Sequence, residues 1–176
     1  MSMEASQSAL IVTVPEVEPV VAPHRELFDQ AASWGVPAHV TVLFPFLPPA
    51  EISAHVLDTL GRAAATVPAF FVAFDRLGWF ADRVVWLAPS PASPFLRLTA
   101  AVTARFPGVR PYDGAFEEVV PHLTVGHDHP VDVLKAAGEA VLPRLPIRAR
   151  VDTLRLITGR PEPGGSWLTR ALFPLG

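Results

Sequence analysis

The stretch that decides the fold occurs twice, as Pro37-Ala38-His39-Val40-Thr41-Val42 and as Pro121-His122-Leu123-Thr124-Val125. Each copy contains a tetrad in which a histidine and a threonine alternate with apolar residues, and a proline lies just upstream. Random placement of the residues in a chain of this composition would give about 0.08 such tetrads. The repeated tetrad is therefore the feature around which we interpret the rest of the chain.

In a β-strand, successive side chains point to opposite faces, so His39 and Thr41 share one face. His122 and Thr124 have the same relation in the second copy. An imidazole beside a hydroxyl is suited to a phosphate ester, because the hydroxyl can donate to an oxygen and the imidazole can exchange a proton near neutral pH. Two such units facing one cleft would supply the base and the acid of phosphodiester cleavage without a metal ion or other cofactor.

The remaining chain predicts alternating strands and helices. The predicted strands are residues 8–14, 38–46, 69–77, 84–88, 119–126, 147–158 and 167–173, and the predicted helices are 24–33, 50–66, 94–106 and 131–142. Residues 79–82 and 161–166 are predicted turns of hairpins, and residues 107–118 a loop. Each half of the chain places its tetrad on a strand that precedes a helix. This order predicts an α+β fold with two lobes of mostly antiparallel sheet facing a central cleft and helices packed outside.

Length and composition narrow the class of protein. Half of the 176 residues are apolar and 18% are charged, which predicts one globular domain over residues 1–176. A net charge of −3 argues against an extended nucleic-acid surface but permits a site for one phosphate or one RNA end. The absence of cysteine excludes disulfides and a thiol nucleophile. With no signal peptide and no apolar run of membrane-spanning length, we expect a cytoplasmic monomer without a membrane partner.

The local phrases His39-Val40-Thr41-Val42-Leu43-Phe44-Pro45-Phe46 and Val120-Pro121-His122-Leu123-Thr124-Val125 resemble the two signatures of the 2H phosphoesterase superfamily. Members of that superfamily include the 2′–5′ RNA ligase-like proteins and the cyclic phosphodiesterases. The resemblance covers the order of elements over most of the chain. It implies a bilobal fold with both histidines in a central groove, one as general base and the other as general acid. It also implies that Thr41 and Thr124 hold the phosphate.

One position departs from the family pattern. Many members carry a basic residue shortly after the second signature, and His127 occupies about that place here. The resemblance therefore implies no permanently charged phosphate anchor at this position. Joining two RNA ends requires both ends to be held, so the absence of this anchor supports joining less than hydrolysis.

The histidines allow two other interpretations. A single histidine on a strand is most often structural, but a matched pair of tetrads favours a functional role. The second interpretation is a metal site, because His122, His127, Asp128 and His129 are all residue types that bind metal ions. A separation of five residues along a strand puts His122 and His127 on opposite faces, and the last two histidines precede Pro130 at a strand end. The sequence therefore favours no metal site.

The aromatic residues divide into packing and binding candidates. Strict alternation places Phe44 and Phe46 on the core face of the first tetrad's strand. Trp79 and its neighbour Phe80 in a predicted turn, and Tyr112 and Phe116 in a predicted loop, are candidates for stacking on a nucleobase. Of these, Trp79, Tyr112 and Phe116 are the predicted substrate-binding residues, with a packing role as the alternative for each.

The predicted function is hydrolysis of a 2′,3′-cyclic nucleotide phosphate or of a short RNA-derived phosphodiester, 2′–5′ linked or cyclic. His39, Thr41, His122 and Thr124 are the predicted catalytic residues. One alternative is a groove that binds a nucleotide or RNA end without turning it over. Another is 2′–5′ joining of RNA ends by the reverse reaction. The expected partner in each case is a small nucleotide or an RNA end.

Overall fold

A computed structural model describes residues 4–176 of the chain, and it contains one sheet of eight strands. All seven neighbouring pairs of strands are antiparallel, in the order β6-β3-β4-β5-β2-β1-β7-β8. The strands are β1 Gln7–Thr13, β2 His39–Leu43, β3 Phe70–Phe80, β4 Val84–Ser90, β5 Leu123–His127, β6 Ile147–Val151, β7 Thr153–Gly159 and β8 Trp167–Pro174.

The longer helices cover one face of this sheet. The helices are α1 Glu18–Phe28, α2 Gln30–Ser33, α3 Ala54–Ala65, α4 Ser93–Thr103 and α5 Val131–Val141, with short 3₁₀ turns at Pro49–Glu51, Pro111–Gly114 and Leu142–Arg144. One apolar cluster joins the four longer helices to residues of every strand. Its fully buried members include Val21, Leu60, Leu98 and Leu134 from these helices. The four longer helices therefore share one side of the sheet.

The sheet has two halves that correspond to the predicted lobes. One half has the order β5-β4-β3-β6 and the other β2-β1-β7-β8, and the halves meet where β2 pairs with β5. Only Asp152 separates β6 from β7, yet β6 lies at one edge and β7 next to the opposite edge. The sheet must therefore curl until its ends approach each other. Since the longer helices occupy one face, the curl leaves a groove on the other, and the predicted α+β antiparallel fold is confirmed.

Several predicted boundaries were wrong. The strand predicted at 147–158 is divided at Asp152, because β6 pairs with β3 while β7 pairs with β1. The apolar positions change from 147, 149 and 151 to 154 and 156 across this point, a change of phase in the alternation that the prediction of a single strand overlooked. Strand β3 continues through Phe80, so Trp79 and Phe80 lie in a strand rather than in the predicted turn. The turn begins at Ala81, whose φ is 49°.

The first helix begins earlier than predicted. The sequence predicts a helix over residues 24–33, but α1 starts at Glu18. Pro19 lies in the first turn, where a helix needs no backbone N–H donor. The helix ends at Phe28, and the next residue, Asp29, has a carboxylate that accepts from the N–H of Ala31 and caps the short α2. One predicted helix is therefore two.

Candidate active site

The two tetrads lie side by side because β2 and β5 are neighbours at the centre of the sheet. Val40 pairs with Leu123 in an antiparallel register, and both side chains are fully buried in the core. The residues on either side of this pair point to the groove, since side chains alternate along a strand. The pair therefore fixes the relative position of the two tetrads.

Continuing this register by one residue sets His39 across from Thr124 and His122 across from Thr41. Residues opposite each other in an antiparallel pair have Cβ atoms about 4.5–5.5 Å apart. Each imidazole therefore lies beside the hydroxyl of the other tetrad as well as near its own. The structure brings together all four residues predicted as catalytic, and each is half-buried.

Both imidazoles are held in the same way by the backbone. The Nδ1–H of His39 donates to the carbonyl of Pro37 over 2.8 Å, and that of His122 donates to the carbonyl of Val120 over 2.7 Å. A carbonyl oxygen can only accept, so Nδ1 carries the proton in each neutral ring. The Nε2 atom of each ring is then the one that can take up or deliver a proton.

Burial lowers the pKa of His39 from 6.5 to about 4, with the hydrogen bond to Pro37 opposing and the nearby Arg25 charge adding to the decrease. Burial also lowers the pKa of His122, opposed by its bond to Val120 and assisted by the nearby His127. Both rings are therefore neutral at pH 7 in the free protein. An anion bound between them would raise both pKa values, because it favours the charged imidazolium.

A buried ionic network positions the backbone next to His39. Arg25 is 2% exposed, and its Nε lies 2.9 Å from Oδ2 of Asp29 while its Nη2 donates to the carbonyl of Val36. The carboxylate of Glu18 accepts from the N–H of Ala38 over 2.6 Å. Helix α1 thereby holds residues 36–38, the segment whose Pro37 carbonyl receives the proton of His39. Sequence reasoning missed this network, and its only signal was the spacing of four between Arg25 and Asp29.

Beside His122 lies a cavity of about 560 Å³, here called the His122 cavity. The predicted binding residues Tyr112 and Phe116 line it, together with Phe80. The ring of Phe80 meets the imidazole of His122 edge-on, with centroids 4.8 Å apart. Most of the wall is apolar, and its polar groups include Arg83, Glu118, His122 and His127.

The loop that carries Tyr112 and Phe116 is fastened to the end of β2, where the N–H of Tyr112 donates to the carbonyl of Phe44. Tyr112 and Asp113 have φ values of 52° and 54°, which non-glycine residues rarely adopt. The resulting tight turn lets the rings of Tyr112 and Phe116 meet edge to face at 5.5 Å. Burial raises the pKa of Tyr112, so its hydroxyl stays protonated and can donate to a ligand.

Trp79 is not among the residues that line the His122 cavity. It pairs with Val85 and packs against the helical core, so it lies on the opposite face of β3 from Phe80. Its place beside the groove is taken by Trp86 of β4, whose ring centroid is 5.8 Å from that of His122. Trp86 lies directly over Gly78, where a Cβ on the backbone would overlap the indole.

His127 lies on the same side as His122, and the expectation that the two face opposite ways was wrong. Val85 pairs with Gly126 while Trp86 pairs with Thr124, so Val125 is an extra residue in β5. Such a bulge reverses the alternation beyond it. His127 therefore lines the His122 cavity and influences the pKa of His122.

The same cavity contains a permanent cation that sequence reasoning missed. Arg83 follows the β3–β4 turn and lies 2.7 Å from the carboxylate of Asp128, which is also 3.1 Å from Nε2 of His127. Asp128 thus links the two basic groups at the rim. Nothing in the sequence relates Arg83 to the second tetrad, because the relation comes from the pairing of β4 with β5.

The metal-site interpretation is tested by the arrangement of possible ligands. Within residues 4–176, no group of three or more His, Cys, Asp or Glu side chains is placed to hold a metal ion. His129 packs edge-on against Phe28, with ring centroids 5.2 Å apart. The same residues contain no helix of the length and apolarity needed to cross a membrane.

A second, smaller cavity lies beside His39, here called the His39 cavity, with a volume of about 140 Å³. His39 and Thr41 form one side, and Trp34, Phe44 and Trp167 form much of the rest. The prediction that Phe44 faces the core with Phe46 was wrong for Phe44. Strand β2 ends at Leu43, and Phe44 packs against Trp167 in a separate apolar cluster on the groove side. Phe46 is 6% exposed in the main core, as predicted.

The sequence profile of the 2′-5′ RNA ligase superfamily matches residues 13–161. A search of curated proteins found no match. Among solved structures, E. coli LigT in apo form aligns with a TM-score of 0.60 and 20% identity, covering 98% of this chain and 99% of LigT. TT0787 of Thermus thermophilus aligns with a TM-score of 0.65 and 19% identity, covering 96% of this chain and 97% of TT0787.

At these identities the structural matches show a shared fold over nearly the full length of each chain. The profile match extends over most of the sequence and includes both tetrads. It is independent of the groove geometry, which brings the same two tetrads together. The chain belongs to the 2′-5′ RNA ligase superfamily, within the 2H phosphoesterases.

Proposed function

We propose that the protein is a phosphodiesterase that hydrolyses a cyclic nucleotide phosphate or a short RNA-derived phosphodiester by paired-histidine acid–base catalysis. One observation carries this proposal. Two imidazoles, each with Nδ1 bound to a backbone carbonyl and Nε2 available, lie on one groove face with a threonine hydroxyl opposite each. That arrangement offers one proton acceptor, one proton donor and two hydroxyl donors to a single tetrahedral anion.

In the proposed reaction, one Nε2 takes a proton from water as the water oxygen bonds to phosphorus. The bond from phosphorus to the leaving ester oxygen breaks, and the other imidazole delivers its Nε2 proton to that oxygen. The products are a phosphomonoester and an alcohol, or one monoester when the ester is cyclic. Thr41 and Thr124 donate to the non-bridging oxygens. No step in this scheme requires a metal ion.

We assign His39 as the base and His122 as the acid. Burial is the largest cause of the lowered pKa of His39, and the Arg25 charge adds to the decrease although Asp29 partly offsets it, so this ring is proposed to be the one that stays neutral when an anion binds. The corresponding neighbour of His122 is His127, which carries charge only when it is protonated. His122 is therefore proposed as the ring that takes up a proton from solvent when the phosphate anion binds and then delivers it to the leaving oxygen.

Arg83 and His127 are proposed as further groups that hold phosphate oxygens at the rim of the His122 cavity. A histidine at position 127 provides no permanent positive charge. Arg83, which lines the same cavity, supplies one. Phe80, Tyr112 and Phe116 are proposed to contact the base of the nucleotide, because they form an apolar wall next to the reacting group. Crystals of E. coli LigT, a relative in fold, contain 3′-AMP or NADP+, which supports a nucleotide-sized ligand.

The test is hydrolysis of 2′,3′-cyclic nucleotides and of a 2′–5′-linked dinucleotide by the wild type, His39→Ala and His122→Ala. Each substitution should lower kcat/KM by about 10²-fold or more. The double variant should lose little beyond the worse single variant, because the two rings act as a unit. His55→Ala, on the exposed surface of α3, is the matched control and should retain full activity. Undiminished turnover in either single variant would remove that histidine from the mechanism.

The same experiment separates the alternatives. The wild-type rate should follow a bell in pH, falling at low pH as the base is protonated and at high pH as the acid loses its proton. Saturable binding of the cyclic nucleotide without product would favour a binding module. Formation of a 2′–5′ linkage from RNA ends, without hydrolysis, would favour a ligase. Loss of activity with EDTA would contradict a metal-independent reaction.

A further inference from the structure

The segment that leads into the second tetrad directs every second side chain to the His122 cavity. Phe116, Glu118, Val120 and His122 all line the cavity, whereas the three residues between them do not. The carboxylate of Glu118 is therefore directed to the same space as the ring of Phe116 and the imidazole of His122. The proposed reaction uses the histidine and assigns the ring to the base, but it gives the carboxylate no role.

Glu118 is an acidic group in a site proposed to bind an anion. Among residues 4–176 it is the single acidic residue that lines this cavity, and it forms no ion pair with any described cation. The carboxylate of Asp128 at the rim is, by contrast, paired with Arg83 and His127. An unpaired carboxylate repels a phosphate. Glu118 therefore weakens the binding of a nucleotide unless another part of that nucleotide donates hydrogen bonds to it.

The chemistry of a carboxylate selects among the bases. An ionised carboxylate has two oxygens that only accept hydrogen bonds. Guanine presents two neighbouring donors on its Watson–Crick edge, the ring N1–H and the N2 amino group, and can bind both oxygens at once. Adenine, cytosine and uracil each place an acceptor directly beside the donor on that edge, so a carboxylate there meets one attraction and one repulsion. Among the four RNA bases, guanine is therefore the best match to Glu118.

We propose that Glu118 is a specificity-determining residue, which binds the Watson–Crick edge of a guanine base in the His122 cavity. This inference rests on the proposed phosphodiesterase function and names its substrate class. The preferred substrate is then guanosine 2′,3′-cyclic phosphate, or a diester whose reacting phosphate is attached to a guanosine. Glu118 and Phe116 belong to one segment, so the edge and the face of the base are bound from the same side of the cavity. Arg83 and His127, which come from the β3–β4 turn and the end of β5, remain for the phosphate.

The kinetic test compares the 2′,3′-cyclic phosphates of guanosine, inosine and adenosine, since inosine differs from guanosine only by lacking the N2 amino group. Wild-type kcat/KM should be about tenfold or more higher for guanosine than for adenosine, with inosine between them, as expected for a bidentate contact. Glu118→Gln replaces one acceptor by a donor at the same size, so the ratio of guanosine to adenosine should fall towards one. Glu117→Gln removes the same charge from a side chain outside the cavity lining and should keep the wild-type ratio.

Two results would overturn guanine recognition while leaving the phosphodiesterase proposal intact. One is equal wild-type kcat/KM for the guanosine and adenosine cyclic phosphates. The other is an equal rise of kcat/KM for all three substrates in Glu118→Gln, which would show that this carboxylate acts only by repelling the phosphate.

A binding measurement decides the role of Glu118 if no cyclic phosphate is hydrolysed. Isothermal titration calorimetry with guanosine 3′-monophosphate and adenosine 3′-monophosphate should give a Kd about tenfold lower for the guanosine nucleotide. This difference should disappear in Glu118→Gln and persist in Glu117→Gln. Equal affinity of the wild type for the two nucleotides, or binding of neither, would overturn the proposal.

Discussion

His39 and His122 each donate an Nδ1 proton to the carbonyl two residues earlier, and this contact follows from the position of the histidine at the start of a strand. A proline lies in the approach to each strand, since Pro37 itself carries the accepting carbonyl and Pro121 follows the accepting Val120. The Nε2 atoms are consequently fixed in the form that can act as base. Burial then lowers both pKa values, so the resting site contains two neutral imidazoles and is prepared for an anion.

The lowered pKa of His39 predicts a dependence of stability on pH. The pKa is about 4 in the folded protein against 6.5 in the unfolded chain, so protons bind preferentially to the unfolded chain between these values. The contribution of His39 is therefore complete above pH 6.5 and declines as the pH falls towards 4, by at most about 3 kcal/mol. His39→Asn keeps an N–H donor and should flatten this part of the decline in urea unfolding at pH 7.5, 6 and 4.5. His55→Asn, at an exposed site, should keep the wild-type decline, and identical curves for both variants would contradict the assignment.

Position 78 requires a glycine because the indole of Trp86 lies against the backbone there. A Cβ at position 78 would overlap that ring, so Gly78→Ala should displace Trp86 and, with it, the wall behind His122. We expect a loss of about 1–3 kcal/mol in the free energy of unfolding and a lower kcat/KM. Gly108→Ala is the control, since nothing lies within 4 Å of its added Cβ. Equal stability of the two variants would contradict the contact.

At the scale of elements, helix α1 does more than cover the sheet. Its Arg25 and the adjoining Asp29 form a buried pair one turn apart, and Arg25 also binds the carbonyl of Val36. Through this segment the helix fixes the carbonyl that orients His39. The bulge at Val125 has a similar effect beside the other tetrad. It turns the side chain of His127 into the His122 cavity, whereas the spacing of the two histidines in the sequence predicts opposite faces.

The contribution of the buried Arg25–Asp29 ion pair to stability can be compared with that of an exposed ion pair of the same spacing. Arg25 and Asp29 are 2% and 8% exposed, whereas Asp58 and Arg62 on α3 have the same spacing and are 65% and 64% exposed. Arg25→Met leaves a carboxylate buried without its partner and should cost about 3–5 kcal/mol in urea unfolding. Arg62→Met should cost less than about 1 kcal/mol.

A double variant tests whether the unpaired charge is the cause of that loss. Adding Asp29→Asn to Arg25→Met removes the charge and keeps an oxygen for the Ala31 N–H, so part of the stability should return. No recovery in the double variant would mean that lost packing of Arg25, rather than the unpaired carboxylate, accounts for the effect.

At the scale of the whole molecule, both halves of the sheet share one apolar core. Leu10 and Leu154 of one half and Leu87 and Phe74 of the other belong to the same buried cluster. The halves also form a continuous sheet through β2 and β5. We therefore propose that residues 1–176 fold as one cooperative unit, although the groove divides them into two lobes.

The distribution of tryptophans allows this proposal to be tested. Trp34 and Trp167 report on the half that contains β8, and Trp79 and Trp86 report on the half that contains β3 and β4. Fluorescence of a variant that retains only one of these pairs should give the same urea midpoint as far-UV circular dichroism of that variant. Separate midpoints for the two halves would show independent folding units.

The sequence by itself determined the class of fold and the four residues of the candidate site, because period-two alternation is a local property that strands preserve. It also determined that the two histidines share a face with their threonines. The tertiary structure decided which strands are neighbours, and neighbours are set by pairing across long distances in the chain. Pairing of β4 with β5 brings Arg83 close to His127. The bulge at Val125 places His127 on the same face as His122, whereas their spacing in the sequence predicts opposite faces. At Asp152 the apolar positions change from odd to even numbers, which marks a break in the sequence, but only the tertiary structure pairs β6 with β3 and β7 with β1.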